Sequence, residues 1–381
     1  MATYKEVNGT AVQNYAGTYP GAVDGELWYN STATTFQFQY AATADVWSTG
    51  GNLNTARKQL QGCGTQTAAL AIIGFTTGQT AIVESYNGTN WTEVNDLNAA
   101  RSSGGASGTQ TAALAFGGGN PGNTPNKIAL TETWNGSNWA EVNDMNTARV
   151  NLAAAISGTN TATLTFGGEE PAKSAKTELW NGTNWTEVND LNTARNNLGG
   201  AGISTAALGF GGEGSPSVIA STELYNGTNW TEVADLNTAR KIGAAAGIST
   251  AALAVGGNAP SLTGATESWN GAAWTETTDL ATPNGSMGGA GTNTAALVFG
   301  GQPSGITAAT FEFNASLAVG AWSTGGNLNT GRSSLGGVGT QTAALAFGGN
   351  TGPAYSAVTE SYNGTSWTEV NDLNTARDRV G

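Results

Sequence analysis

Along most of the chain, short apolar runs alternate with polar turns in a constant order. A run of small residues (Leu198-Gly-Gly-Ala-Gly202 in one copy) precedes an apolar Ala/Leu/Phe run ending in Gly-Gly (Ala112 to Gly118). A third run carries Glu and an aromatic (Thr131 to Trp134), and a fourth opens on Trp (Trp139 to Val142). Each is short enough for a strand, and no 3.6-residue periodicity competes. Asn-Gly separates the third run from the fourth in most copies, as at Asn87-Gly88, Asn135-Gly136 and Asn181-Gly182. That dipeptide tolerates positive φ and marks a tight hairpin. The pattern predicts an all-β chain.

The order repeats without losing phase. Trp47, Trp91, Trp139, Trp185, Trp230, Trp274, Trp322 and Trp367 recur at intervals of 44, 48, 46, 45, 44, 48 and 45 residues. Four antiparallel strands at such a period describe propeller blades. The seven apolar second strands predict seven blades, a seven-bladed β-propeller over residues 45–381. Small residues in the first strand let the innermost strands converge on an axis. Phe and Trp further out fill the widening gaps between blades. Cys63 falls in an inner-strand slot held by Ser107 and Ala201 elsewhere, which predicts a packing role.

The ends exceed simple closure. Phe36-Gln-Phe-Gln-Tyr40 with Val46-Trp-Ser-Thr-Gly-Gly-Asn-Leu53 echoes Phe311-Glu-Phe313 with Trp322-Ser-Thr-Gly-Gly-Asn-Leu328. The N-terminus therefore holds a surplus half blade, and Asp378-Arg-Val-Gly381 reads as the stub of another first strand. Surplus strands need partners. They either cap the last blade of the same chain or add to a neighbouring subunit. Residues 1–44 are expected to form a separate N-terminal segment with a short β-hairpin extension, Leu27–Tyr29 against Phe36–Gln39.

Composition narrows the chemistry. The 381 residues include 56 Gly, one Cys and no His, and the net charge is −13. Without His, the commonest metal ligand and general base are missing. An acidic chain has no field to attract nucleic acid. No apolar run reaches membrane-spanning length, and the first residues lack a signal-peptide layout. Neither nucleic acid, membrane insertion, a metal nor a cofactor is expected.

The Gly-Gly after strand two (Gly117-Gly118, Gly167-Gly168, Gly211-Gly212, Gly256-Gly257, Gly300-Gly301, Gly348-Gly349), then an aromatic, then Trp, resembles the Kelch-type repeat over residues 45–381. The first copy departs, with Ile73-Gly74-Phe75. Copper-radical oxidases among Kelch-like propellers use histidines, which this chain lacks. Gly25-Glu-Leu-Trp-Tyr-Asn30 followed by Phe36 resembles a segment near the start of tailed-phage fibre and virion proteins. That resemblance implies a virion or extracellular setting and an anchoring role. Its partners would be other virion proteins, copies of itself or a host-surface glycan.

The candidate chemistry is periodic. Strand-three Glu84, Glu132, Glu178, Glu223, Glu267, Glu312 and Glu360 share one slot, and Asp96, Asp144, Asp190, Asp235, Asp279 and Asp372 another. Acids repeated identically around a ring share one environment, whereas a catalytic pair needs two. No enzyme activity is expected. Arg57, Arg101, Arg149, Arg195, Arg240, Arg332 and Arg377 close the Asn-Thr-Ala-Arg connector or its variants, and the sixth unit has Pro283-Asn284-Gly285 instead. They either clamp carbonyls and repeat carboxylates or ring a channel mouth as an anion or glycan-carboxylate site. The two–three loops vary while the other turns are monotonous, so recognition belongs on the loop face. These features lead to a non-enzymatic tail-fibre, appendage or decoration subunit. The alternatives are an extracellular protein that polymerises through its terminal strands, and a carbohydrate-active enzyme.

Overall fold

A computed structural model describes residues 13–15, 27–30, 35–38, 45–120, 127–315, 328–333, 335–340, 343–352, 354–363 and 366–377. Among them every regular element is a strand. The chain divides into two compact units, residues 42–317 and residues 1–41 with 318–381.

Unit 42–317 contains six four-stranded antiparallel sheets. β4 (Val46–Thr49) comes first in sequence but belongs to the last sheet. The first sheet is β5 (Gln61–Thr65), β6 (Ala68–Phe75), β7 (Gln79–Tyr86) and β8 (Trp91–Val94). The second is β9 (Gly105–Thr109), β10 (Ala112–Phe116), β11 (Thr131–Trp134) and β12 (Trp139–Val142). The third is β13 (Ala153–Ala154), β14 (Thr163–Phe166), β15 (Thr177–Trp180) and β16 (Trp185–Val188). The fourth is β17 (Gly199–Ile203), β18 (Ala206–Phe210), β19 (Thr222–Tyr225) and β20 (Trp230–Val233). The fifth is β21 (Lys241–Ile248), β22 (Ala251–Asn258), β23 (Leu262–Trp269) and β24 (Trp274–Glu276). The sixth is β25 (Gly288–Gly291), β26 (Ala295–Phe299), β27 (Thr310–Asn314) and then β4.

Neighbouring first strands touch in the order β5, β9, β13, β17, β21, β25 and back to β5. Main-chain hydrogen bonds follow the same circuit. The N–H of Ser103 donates to Gln59, Asn151 to Ser103, Asn197 to Asn151, Ile242 to Asn197, Met287 to Gly243 and Gln59 to Ser286, at 2.8–3.0 Å between N and O. Gln59, Ser103, Asn151, Asn197 and Ser286 adopt φ of +51° to +59°, a region costing a non-glycine residue roughly 1 kcal/mol. In five of the six sheets a left-handed residue takes part in a bond to a neighbouring sheet. Glycine is needed where inner strands meet: a Cβ on Gly62 would sit 2.5 Å from the Gly289 carbonyl oxygen, and one on Gly200 2.3 Å from that of Ala154.

Aromatic residues fill the space between sheets. Trp91, Trp185, Trp230 and Trp274 are buried, and each stacks near a Phe of the preceding sheet, with centroids 4.8–4.9 Å apart. Their indoles donate to Thr310, Thr131, Thr177 and Thr222, each also in the preceding sheet. The Trp91–Thr310 bond joins the first sheet to the sixth.

Among the described residues seven four-stranded sheets are present, the number that the seven apolar second strands predict; six lie in unit 42–317, where β4 pairs with β27 and supplies the sixth sheet's outer strand. The seventh, β28 (Gly336–Thr340), β29 (Ala343–Phe347), β30 (Thr359–Tyr362) and β31 (Trp367–Val370), lies in the other unit. That unit also holds β1 (Gln13–Tyr15), β2 (Leu27–Asn30) and β3 (Thr35–Phe38). β1 runs parallel to β2, and β2 pairs with β3 as the anticipated antiparallel hairpin. Trp322 and the Asp378–Gly381 stub lie outside the described residues.

Candidate functional site

The connector between sheets is where charge concentrates. It leaves the fourth strand of one sheet and crosses to the next, whose third-strand Glu receives it. Glu178 accepts from the Asn146 amide N–H at 2.7 Å, from Asn146 Nδ2 at 3.0 Å and from Arg149 Nη2 at 2.9 Å. Asn146 Nδ2 also reaches the Trp185 carbonyl at 3.1 Å. The same clamp joins Asn98 and Arg101 to Glu132, and Asn192 and Arg195 to Glu223. It recurs with Asn54 and Arg57 on Glu84, and with Asn237 and Arg240 on Glu267. In the seventh sheet Asn329 and Arg332 hold Glu360.

Arg57, Arg101, Arg149, Arg195 and Arg240 are 0% exposed. Burial pulls the guanidinium pKa of Arg57, Arg101, Arg149 and Arg195 down, and the facing glutamates hold it up. Further nitrogens donate to carbonyls, as Arg149 Nη1 does to Gly167 and Lys176. The geometry is the clamp, not an open anion fork at a channel mouth. Arg377 is exposed, and its Nε donates to the Thr375 carbonyl.

The periodic aspartates also have a structural task. Oδ1 of Asp96, Asp144, Asp190, Asp235, Asp279 and Asp372 accepts the main-chain N–H of Val83, Thr131, Thr177, Thr222, Thr266 and Thr359. Each bond pins the third strand to the turn after the fourth.

The sixth unit breaks the scheme. Ala281 and Asn284 stand where the connector Asn and Arg are expected, so both donors are lost together. Glu312 instead accepts from Tyr86 Oη at 2.7 Å. Burial, then the bond to Glu312, pushes the Tyr86 phenol up to about 12. Asn284 turns to the main chain, donating to the Gly300 carbonyl and accepting from Gln302 N–H.

Inside the circuit lies a cavity of about 120 Å³ lined by uncharged groups, among them Gln59, Ser103, Asn151, Asn197 and Ser286. Cys63 is buried on β5, and burial pushes its thiol up to about 12, which suits a packing role. Among the described residues no group of three or more His, Cys, Asp or Glu is placed to hold a metal ion.

The loop face differs. Connectors bridge to the end of strand two or the residues after it at Lys58–Phe75, Ser102–Gly119, Val150–Glu169 and Asn196–Glu213. Of the lysines of residues 42–317, Lys58, Lys127, Lys173 and Lys176 sit on these connectors or loops, and Lys241 opens β21 where its connector ends. Lys127 meets Glu169 at 2.9 Å and Lys173 meets Glu213 at 3.2 Å, each pair joining adjacent sheets, and Lys241 also contacts Glu213. The Lys241 hydrogen bond, above all, holds the Glu213 carboxyl below its ordinary range.

Sequence reasoning reached the arginines and glutamates but not the asparagine of the same clamp. Its signal was present: Asn precedes Arg by three residues in every intact connector and is missing only where Arg is missing. No family model matches the chain, and no curated protein matches it.

Proposed function

We propose that the chain is a non-enzymatic structural subunit of the tailed-phage virion kind, a tail fibre, appendage or decoration protein that presents a propeller to a partner. The propeller in this reading is the six-sheet circuit of residues 42–317, with the seventh sheet and the N-terminal hairpin serving attachment. The observation that carries it is the division of labour among charged residues. The repeated Arg and Glu side chains are engaged in holding sheets together. Sequence variation and the lysines of residues 42–317 gather on one face, four of them on connectors or loops over a rigid scaffold and Lys241 at the start of β21.

The partner chemistry that suits this face is a glycan bearing carboxylates or a mixed-charge protein surface. A glycan array probed with the purified chain, beside electron microscopy of virions labelled with antibody to it, tests the proposal. Binding that is lost when loops 169–176 and 213–220 are exchanged for short Gly-Ser turns supports recognition there. Virions without label, and sugar binding that survives the exchange, would refute it.

A second reading, an extracellular protein that polymerises through terminal strands, draws on β4 completing a sheet whose other strands lie far along the chain. Concentration-dependent filaments of the purified chain would favour it.

A further inference from the structure

The third sheet departs from its siblings near the axis of the circuit. Residues 154–165 separate the paired Ala153 and Phe166. Only 106–115 separate Gly105 from Phe116, and only 200–209 separate Gly199 from Phe210. The turn between its first and second strands is therefore two residues longer. β13 stops at Ala154, and Ile156 and Ser157 leave the ladder as a turn. Ser157 N–H donates to the Gly202 carbonyl of the fourth sheet at 3.0 Å, and Ser157 Oγ to the Gly247 carbonyl of the fifth at 2.8 Å. A bond from the third sheet to the fifth skips one sheet and runs as a chord inside the ring. Ile156 lines the axial cavity. The longer turn thus lays a floor under that cavity at the far end of the first strands.

At the other end, where first strands leave their connectors, Gln59, Ser103, Asn151, Asn197 and Ser286 line the cavity. Their φ of +51° to +59° is a region that glycine enters freely and other residues rarely. The chain has 56 glycines, yet none stands at these five positions. The fifth sheet lacks the position, with one residue between Arg240 and Ile242 where two lie between Arg195 and Leu198. A polar side chain held where glycine fits better points to a use for that side chain. Bonds within the protein do not supply one. Asn197 Nδ2 donates to Asn196 Oδ1, but the side chains of Gln59, Ser103, Asn151 and Ser286 make no hydrogen bond among the described residues. Ser286 is exposed and Gln59, Asn151 and Asn197 are half-buried, so solvent reaches this end.

We infer that the axial cavity is a floored pocket for an uncharged polyhydroxyl ligand, a neutral sugar residue entering end-on from the connector side. Its volume of about 120 Å³ is several times the roughly 10–15 Å³ that one water needs and approaches the roughly 150 Å³ that holds a benzene ring. Amide and hydroxyl side chains both donate and accept, as each sugar hydroxyl requires. Leu60, Leu152, Leu198 and Met287 also line the wall, giving apolar surface for the C–H face of a sugar ring. An anion finds no counterpart among the described lining residues, none of which is charged. The main-chain N–H groups of Gln59, Ser103, Asn151 and Asn197 are already donated to neighbouring carbonyls. This pocket is separate from loops 169–176 and 213–220, and the inference stands whether or not the chain belongs to a virion.

The left-handed backbone supplies a clean test, because glycine there removes a side chain while relaxing the main chain. Saturation-transfer NMR on the full chain is run with glucose, galactose, mannose and N-acetylglucosamine, and with glucuronate as the charged probe. At least one neutral sugar is expected to receive saturation from the native chain. Gln59→Gly with Asn151→Gly is expected to weaken that sugar's binding at least tenfold while the melting temperature holds or rises. Single Asn151→Gly, read the same way, is expected to weaken it by a smaller factor. Undiminished binding by the double variant would overturn the site. Transfer to none of the neutral sugars would overturn it too and leave the cavity to water. Preference for glucuronate would overturn the uncharged class. A melting temperature that drops together with binding would assign these side chains to holding the ring and overturn their role in recognition.

Discussion

Trp139 Nε1 is buried with no acceptor, and its counterparts show why. Trp91, Trp185, Trp230 and Trp274 each donate to a threonine of the preceding sheet, but the equivalent position facing Trp139 is Val83. An unmet buried donor costs about 1–3 kcal/mol. Val83→Thr supplies the missing hydroxyl in nearly the same volume and is expected to stabilise the chain by about 1 kcal/mol, measured by urea unfolding. Thr177→Val, which strips the acceptor from Trp230, is expected to destabilise it by about 1–3 kcal/mol in the same assay. Cys63 gives a second test at this scale. A thiol pushed up to about 12 by burial is almost wholly protonated at neutral pH, and the thiolate is the nucleophile. A thiol-reactive chromophore is expected to leave Cys63 unlabelled in the native chain and to label it fully in guanidinium. Native labelling within minutes would contradict the packing role.

At the scale of elements, the connector clamp dominates. Arg149 and Glu178 are both wholly buried, so removing one leaves the other charge unpaired. Arg149→Met is expected to cost about 3–5 kcal/mol, and Arg149→Met with Glu178→Met together much less than the sum of the singles. A double-mutant cycle in urea measures the difference. Acid attacks the same clamps. Burial raises the Glu360 pKa, but hydrogen bonds from Asn329 and Thr330 N–H and from Arg332 outweigh it, and the net shift is downward. Glu213 is lowered as well, chiefly by its Lys241 hydrogen bond. A carboxylate lowered in the native state stabilises the fold above its unfolded pKa, and that stabilisation disappears as pH falls through the native pKa. Melting temperature is therefore expected to hold from neutrality down to the ordinary carboxylate range and to fall below it. Glu360→Gln is expected to lower the neutral value and flatten the acid limb.

Much of this level was legible in the sequence. The Trp period located the fourth strands, Asn-Gly located the hairpins, and the shared slots of Glu and Arg announced one repeated interaction. Burial was not legible, because an Arg at the entrance of a strand reads alike whether its guanidinium faces a channel or the Glu beneath it. Nor was the number of sheets in the circuit. Trp47 and Trp322 head nearly identical strings, and only the pairing of β4 with β27 shows which one fills the sixth sheet.

At the scale of the whole circuit of residues 42–317, stability depends on one seam. Gly50 and Gly51 follow β4 there, and a Cβ on Gly51 would sit 2.1 Å from the Thr89 carbonyl oxygen. On Gly50 it would sit 2.8 Å from Tyr86 Oη. Gly51→Ala forces main chain apart at the junction of the first and sixth sheets and is expected to cost about 1–3 kcal/mol. Hydrogen exchange is expected to quicken first in β4, β27 and β8, ahead of the β17 to β21 junction on the other side. Uniform quickening would argue against a seam.

The departure at Ala281 and Asn284 has a consequence for how folding finds its endpoint. A hoop assembled from interchangeable parts suffers from register degeneracy, since β4 meets a similar partner on several third strands. Glu312 faces a tyrosine hydroxyl where its siblings face a guanidinium, and the Trp-Ser-Thr-Gly-Gly string of β4, unlike the Trp-Thr-Glu-Val strands, has the missing side chains that let it pass beneath Tyr86. That mismatch is a fiducial mark: it tells an otherwise monotonous polymer where counting stops.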